Sequence, residues 1–305
     1  MKQKYFYLCV LAAALGLIVM GVTSFKGKQN LITTSLTGAD GDGRRVHCFD
    51  LNGKDFSFCG ERYPMESFDV RERLDREILI NAYLQSTNIM NIKLANRYFP
   101  EIEKILAEEG CPDDLKYLCV AESTLRNVTS PAGAKGLWQF MKPTGLQYGL
   151  EINDEIDERY HTEKSTRAAC RYLKDNYKQY GSWLLAAAAY NEGAPRLSRE
   201  IREQRAQTFF DLNLNEETSR YVFRLMALKE IMQHPLDYDF DVPSNHLYEQ
   251  FPEMKELTFA STANWADVAK DNGLSFRIFK VYNPWLLTPV FTNKLKKTYK
   301  IKVPR

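Results

Sequence analysis

With 305 residues, 44% hydrophobic and 26% charged, the chain has material for one sizeable core and a smaller module. Its net charge of +2 leaves no electrostatic footprint for nucleic acid. No CxxC, HExxH or paired-histidine spacing points to a metal, and no glycine-rich loop ends in Gly-Lys-Ser/Thr. Metal and cofactor chemistries therefore find no support.

At the amino terminus Lys2 and Lys4 precede an uncharged run, Tyr5 to Phe25, closed by Lys26 and Lys28. Its 21 residues are long enough to span a bilayer and longer than a usual signal h-region, although Val22-Thr23-Ser24 would also serve as a cleavage site. Residues 1–25 thus read as a signal sequence or an uncleaved membrane anchor, and both place the rest of the chain in the periplasm or cell envelope. Gly27 to Arg44 reads as linker. Asp40-Gly41-Asp42-Gly43 hints at a calcium loop, but Leu51 stands where the twelfth-position acid belongs.

Five cysteines follow the apolar run, an odd number that leaves at least one unpaired. Cys48 and Cys59 flank Asn52-Gly53 between alternating segments, a hairpin signal. A four-residue loop, Asn52 to Asp55, would set Cys48 opposite Cys59 and make a disulfide geometrically reasonable; a two-residue loop would set it opposite Ser57. Residues 26–68 are therefore assigned to linker and hairpin.

From Asp69 to Glu109 the pattern is helical, through Leu74, Ile78, Leu79, Tyr83, Ile102, Ile105 and Leu106. A new helix begins at Pro112, with Asp113 and Asp114 suited to its positive end. Leu115, Leu118, Cys119 and Glu122 then fall on one stripe. An acid on that stripe leaves water when the domain packs, so its pKa is expected to rise and its proton to persist near neutral pH. The plain alternative is a buried ion pair between Glu122 and Arg126. The helix should stop near Asn127, because Ser130-Pro131-Ala132-Gly133 is a turn sequence. Thr162 to Tyr180, Trp183 to Ala189 and Glu216 to His234 are further helices, the last striped by Tyr221, Val222, Leu225 and Met232. Cys119 and Cys170 lie on apolar helix positions and read as core.

Glu122-Ser123, then Ser130 through Met141 (SPAGAKGLWQFM), Thr144-Gly145 and finally Tyr190-Asn191-Glu192-Gly193 resemble the soluble lytic transglycosylase domain of lytic murein transglycosylases. The pattern is most similar to the branch typified by membrane-bound lytic murein transglycosylase D, which carries Trp where other branches carry Met. The resemblance covers Cys111 to Met232, and it implies a mainly α, lysozyme-like catalytic domain over residues 69–240. It also implies Glu122 as the catalytic acid/base, with Ser130, Gln139, Tyr190 and Asn191 as substrate-groove residues. Trp138 reads as groove wall, with plain packing as its alternative. Tyr190 on an alanine-rich helix would by default be core, and gains its groove reading from Asn191 and the upstream motifs. Glu192 departs from the small residue usual there and adds a carboxylate near the site.

With one useful acid, neither two-carboxylate mechanism fits, since these need a partner about 5–5.5 Å or about 6.5–9.5 Å away. Asp114 lies roughly 12 Å up the helix at about 1.5 Å per residue. The implied reaction is proton donation by Glu122 to the bond between N-acetylmuramic acid and N-acetylglucosamine in peptidoglycan. The acetamido group would stabilise the cation, and a 1,6-anhydro ring would close without water. A lysozyme-type hydrolase and a non-catalytic peptidoglycan-binding scaffold are the rival readings.

Pro235 to Pro252 is a second connector, and residues 253–305 form a small α+β module. Leu257 to Phe259 and Tyr299 to Val303 read as strands, Asn264 to Lys270 and Phe276 to Tyr282 as helices. Asn264 to Ala269, Val281 to Trp285 and the ending Ile301 to Pro304 resemble a degenerate LysM glycan-binding repeat, without its entry Gly-Asp-Thr. The expected partners are peptidoglycan glycan strands and a membrane, with the chain acting as a monomer.

Overall fold

The computed structural model describes residues 47–305; the apolar run Tyr5 to Phe25, the linker Gly27 to Arg44 and the Asp40 to Gly43 motif lie outside the described residues.

A two-stranded hairpin, β1 (Ser57–Phe58) with β2 (Glu61–Arg62), leads into the helices. Its turn is Cys59-Gly60, not Asn52-Gly53. Both turn residues have positive φ, 53° and 80°, the geometry that matches strand twist in a two-residue hairpin. Cys59 is a residue type that gives no turn signal, whereas Asn52-Gly53 forms a separate bend in which Lys54 N–H donates to Leu51 O. Cys48 is exposed and both thiols are free, so the disulfide that a four-residue loop would have allowed is not made. Asp114 instead secures the hairpin, accepting from Cys59 N–H at 2.7 Å and from Lys229 Nζ at 2.8 Å.

Helices α1 (Phe68–Ala82) and α2 (Gln85–Glu108) divide the expected Asp69 to Glu109 stretch. Asn88 Nδ2 donates to Asn81 O at 2.6 Å and holds the break between them. A short 3-10 turn, Asp113–Leu115, starts α3 (Lys116–Ser123), followed by the six-residue α4 (Lys142–Gln147). Then come α5 (Thr162–Tyr180), α6 (Trp183–Glu192), α7 (Ala194–Gln204) and α8 (Glu216–Gln233). The chain's best helical patterns match these within a few residues; α4 and α7 fall outside the expected helices, α4 being only six residues long and α7 an amphipathic helix with Ala194, Leu197 and Ile201 on its inner face. Ser182 caps α6 by accepting Leu185 N–H at 3.2 Å, as a serine there should.

The main core forms where α3, α6 and α8 cross. Leu118 and Cys119 from α3, Ala186 to Ala189 from α6, and Val222, Phe223 and Leu225 from α8 are all fully buried. The alanines keep α6 thin enough for helices to approach it on every side. Cys119 and Cys170 are core, as their positions indicated.

After a connector of two short 3-10 turns, the carboxy-terminal module pairs β3 (Met254–Phe259) antiparallel with β6 (Tyr299–Pro304), and β4 (Ala263–Asn264) with β5 (Val290–Phe291). Helices α9 (Trp265–Asp271) and α10 (Phe276–Tyr282) complete it. Trp265 stacks between Phe279 and Phe291, at 5.9 and 5.3 Å with 24° between planes in each case. Buried Asn283 binds both Lys302 O and Lys302 N, at 2.7 and 2.8 Å, pinning the end of α10 to β6.

This module shares its core with the helical part. Ile156, from the loop between α4 and α5, is buried among Trp265, Trp285 and Leu286. Asp157 N–H donates to Trp285 O and Leu287 N–H to Glu155 O, at 2.9 and 2.8 Å. Tyr299 and Lys297 both reach Glu151, at 2.8 and 2.9 Å.

Beside this junction sits a buried ion pair. Asp157 is 1% and Arg159 3% exposed, and the guanidinium grips the carboxylate with two bonds of 2.8 and 2.7 Å. Burial by itself would raise the Asp157 carboxyl; the hydrogen bonds and charge of Arg159 outweigh it and hold that carboxyl below its usual range. Asp157→Ala leaves the guanidinium buried and uncompensated, so unfolding stability is expected to fall by about 3–5 kcal/mol. Urea denaturation of the two proteins checks this, and a loss under about 1 kcal/mol would show the pair to be dispensable.

Candidate active site

Glu122 lies one residue before the end of α3. The helix stops at Ser123, four residues short of the expected Asn127, because Thr124 and Leu125 both adopt left-handed backbone, φ 51° and 54°. Two consecutive non-glycine residues there cost energy that surrounding contacts must hold in place. Part of that hold is Ser123, whose hydroxyl reaches Cys119 O and Leu137 O, each at 2.9 Å. The end of the acid-bearing helix is thereby tied to the loop it faces.

That loop, Ser130 to Met141, is built from the inside. Ser130 Oγ accepts Ala134 N–H at 3.0 Å, closing its first turn. Gly136 has φ +84°, and a Cβ there would stand 1.9 Å from Arg159 O, so no other residue fits. Gln139 also has positive φ, 49°, and its Nε2 donates to Val128 O and Gly136 O, at 3.1 and 2.8 Å. Arg159 adds bonds to Gly133 O and Phe140 O, at 3.1 and 3.2 Å.

Glu122 is partly buried beneath this loop and is met by tyrosines. Tyr221 of α8 donates to Glu122 Oε1 at 2.7 Å. Tyr190, near the end of α6, donates to Trp138 O at 2.6 Å. Its phenol is pushed up first by burial and next by the Glu122 charge, which places the two groups in one electrostatic neighbourhood. Burial raises the Glu122 carboxyl from 4.5 to about 7; the Tyr221 hydrogen bond opposes it, Glu217 adds to the rise, and Arg224 pulls down. Glu217 is itself 62% exposed and paired with Arg224 at 3.2 Å. Arg126 is exposed and bonds Thr124, so the plain reading of Glu122 as its ion-pair partner does not hold.

The other expected site residues divide. Asn191 Oδ1 accepts from Thr218 Oγ1 at 2.9 Å, joining α6 to α8. Trp138 departs from expectation: it is 0% exposed, with its indole N–H on Thr166 Oγ1 at 2.9 Å, so its ring is core and only its carbonyl serves Tyr190. Glu192 binds Arg196 and Asn215 through Oε1, at 2.7 and 2.9 Å, while its Oε2 is buried without a hydrogen-bond partner among the described residues. Tyr221 is legible in the sequence only as an apolar stripe position. Its polar role depends on the crossing of α3 and α8, which no local pattern states.

Comparison with known proteins identifies the two domains. Residues 91–213 match the transglycosylase SLT domain, and residues 259–305 the soluble lytic transglycosylase C-terminal LysM-like domain. The chain is 28% identical over 241 residues to membrane-bound lytic murein transglycosylase D of Escherichia coli (strain K12), covering 76% of this chain and 52% of that one. It is 29% identical over 121 residues to a putative tributyltin chloride resistance protein of Alteromonas sp. (strain M-1), covering 39% and 58%. It thus spans about half the length of the curated relatives it matches. The solved 70 kDa soluble lytic transglycosylase of Escherichia coli overlaps with a TM-score of 0.39 at 18% identity, over 50% of this chain and 27% of that one, too low to bear on the argument. The chain accordingly carries a transglycosylase SLT domain over residues 91–213 and a LysM-like C-terminal domain over residues 259–305, and is homologous to membrane-bound lytic murein transglycosylase D.

Proposed function

We propose that this protein is a peptidoglycan lytic transglycosylase in which Glu122 is the single general acid/base. The observation that carries the reading is a carboxyl held near pKa 7 by burial, with Tyr221 fixing one oxygen at 2.7 Å. A group that must give a proton and then take one back works best with a pKa close to the working pH. Asp114 is committed to the hairpin and Lys229, Glu192 to Arg196 and Asn215, and Glu217 to Arg224. These pairings draw Asp114 and Glu217 away from the nucleophile or base role of a two-carboxylate mechanism, and they hold Glu192 by one oxygen, its Oε2 being buried without a partner.

In this mechanism Tyr221 presents Glu122 with its second oxygen towards the glycosidic oxygen between N-acetylmuramic acid and N-acetylglucosamine. Proton transfer breaks the bond, the neighbouring acetamido group stabilises the cation, and ionised Glu122 takes the proton of the muramyl 6-hydroxyl. The 1,6-anhydro ring then closes. Ser130, Gln139, Tyr190 and Asn191 would line the groove, on a backbone already fixed by the hydrogen bonds of the loop and of α6. The helical domain spans residues 69–240, and the chain works at the cell envelope, a reading supported by a homologue whose name calls it membrane-bound.

Digestion of purified peptidoglycan should release anhydro-muropeptides, lighter by one water than hydrolysed products, and Glu122→Gln should lower the rate by at least about 100-fold. Reducing-end products in the mass spectrum would instead mean a hydrolase. In Tyr221→Phe the hydrogen bond that favours ionised Glu122 is gone, so the high-pH limb of the rate profile should move to higher pH; an unmoved limb would separate Tyr221 from the acid's titration. Stability gives a third test. A folded-state pKa raised to about 7 means that the stabilising effect is present below about 4.5 and lost as pH rises through 7. Glu122→Gln escapes this loss, so its stability advantage over wild type should grow by about 1–3 kcal/mol from pH 5 to pH 8. Equal denaturation midpoints at both pH values would deny the raised pKa.

A further inference from the structure

An unbroken chain of hydrogen bonds joins the end of α6 to the start of α8. Glu192, the last residue of α6, accepts from Asn215 Nδ2 on Oε1 at 2.9 Å. The same Nδ2 donates to Thr218 Oγ1 at 2.9 Å, and Thr218 Oγ1 donates to Asn191 Oδ1 at 2.9 Å. Thr218 stands three residues before Tyr221, so the two share one face of α8, about 4.5 Å apart along its axis. The contact with Asn191 therefore lies beside the bond from Tyr221 to Glu122.

Each link has one direction open to it. Asn215 Oδ1 accepts Thr218 N–H at 3.1 Å as the N-cap of α8. A backbone N–H can only donate, so the Asn215 amide cannot flip, and Nδ2 must face Thr218 Oγ1. The Glu192 carboxylate, itself gripped by Arg196 at 2.7 Å, enforces the same orientation from the other side. Thr218 is 1% exposed, so its hydroxyl hydrogen needs a partner, and Asn191 Oδ1 supplies it. With its carbonyl so engaged, half-buried Asn191 turns Nδ2 the other way. That donor has no partner among the described residues and, unlike Glu192 Oε2, it is open to solvent.

We infer that Glu192, Asn215 and Thr218 are positioning residues, which lock the Asn191 amide so that Nδ2 is presented to an acceptor oxygen of the bound glycan. This rests on the reading of Asn191 as a groove residue under the proposed function. An unrestrained asparagine would offer its nitrogen or its oxygen to the sugar and would lose that freedom on binding; a preset amide has already lost it. Glu192 contributes what a small residue at its position could not, a second acceptor for Asn215. Its buried, unpartnered Oε2 works against stability, and a native fold that keeps such an atom calls for a reason. Presetting Asn191 supplies one.

The test is calorimetric titration of the full chain carrying Glu122→Gln, as the uncleaving parent, with N,N′,N″-triacetylchitotriose. The parent should bind saturably, and adding Asn191→Ala should weaken binding about tenfold, the loss of one good hydrogen bond. Thr218→Val keeps the side chain's shape without its hydroxyl and should weaken binding equally, whereas Thr218→Ser should restore it. Asn215→Ser, which retains a helix cap, and Glu192→Ala each remove one link upstream of Thr218 and should weaken binding about threefold. The deciding readout is a double variant. In an Asn191→Ala background Thr218→Val should cost nothing further, while a merely structural role would add its full loss. Thermal midpoints identify a Thr218→Val chain that fails to fold, and Asn215→Ser then takes its place in the cycle. Added losses in the double variant, parent affinity in any folded single variant except Thr218→Ser, or no saturable binding by the parent would each overturn the proposal. The isotherm needs no turnover, so hydrolase products from the peptidoglycan digest would leave it standing.

Discussion

Arg159 is a charge taken out of water, and that makes every group around it consequential. An isolated buried guanidinium costs several kcal/mol, and only full satisfaction of its donors offsets this. Here the offset is made by Asp157, Gly133 O and Phe140 O. Gly133 O and Phe140 O lie towards the two ends of the Ser130 to Met141 loop, so one guanidinium ties those ends together. Arg159's own carbonyl then bars a side chain at Gly136, and Asp157 N–H is committed to Trp285 O in the other domain. One pair thus sets the loop over the acid, the glycine in that loop, and the seam.

The raised acid is the second consequence. Glu122 cannot relax towards solvent, because α3 ends immediately after it in a strained left-handed pair and Ser123 ties that end to Leu137. A carboxyl held in this way would simply stay protonated were burial the only influence. The Tyr221 hydrogen bond and the Arg224 charge limit the rise to about 7, where both protonation states are accessible. The stability given up when Glu122 ionises is the same free energy that makes it a usable acid.

What the chain discloses before folding depends on how local each feature is. The long helices are legible because apolar spacing alone encodes them, and the end points of α5 and α10 agree with the pattern to the residue. Glu122 is legible because stripe position and a glycine-rich loop lie within one short segment. The hairpin is not, because Cys59 occupies a left-handed turn position that its residue type does not advertise, while Asn52-Gly53 advertises one that it does not form. Trp138 misleads for a different reason: a large ring in a groove motif fits wall and core equally, and only the partner Thr166, 28 residues on, decides. Tyr221 and Arg159 escape notice because their importance is a property of which helix or loop they meet.

The junction between the domains also bears on what the LysM-like part can do. A tethered glycan-binding module samples many orientations and contributes only effective concentration. This one buries Ile156 of the helical side within its own aromatic core and shares strand-like backbone bonds with residues 155–157. Separating the two would expose that core and unpair Asp157 N–H and Glu155 O. Rotation about the connector therefore carries a free-energy cost, and a glycan bound by the module would be held at a fixed position relative to Glu122. The junction thus gives the LysM-like domain a fixed spacing from the Glu122 end of α3, where a flexible connector would have given a range of spacings.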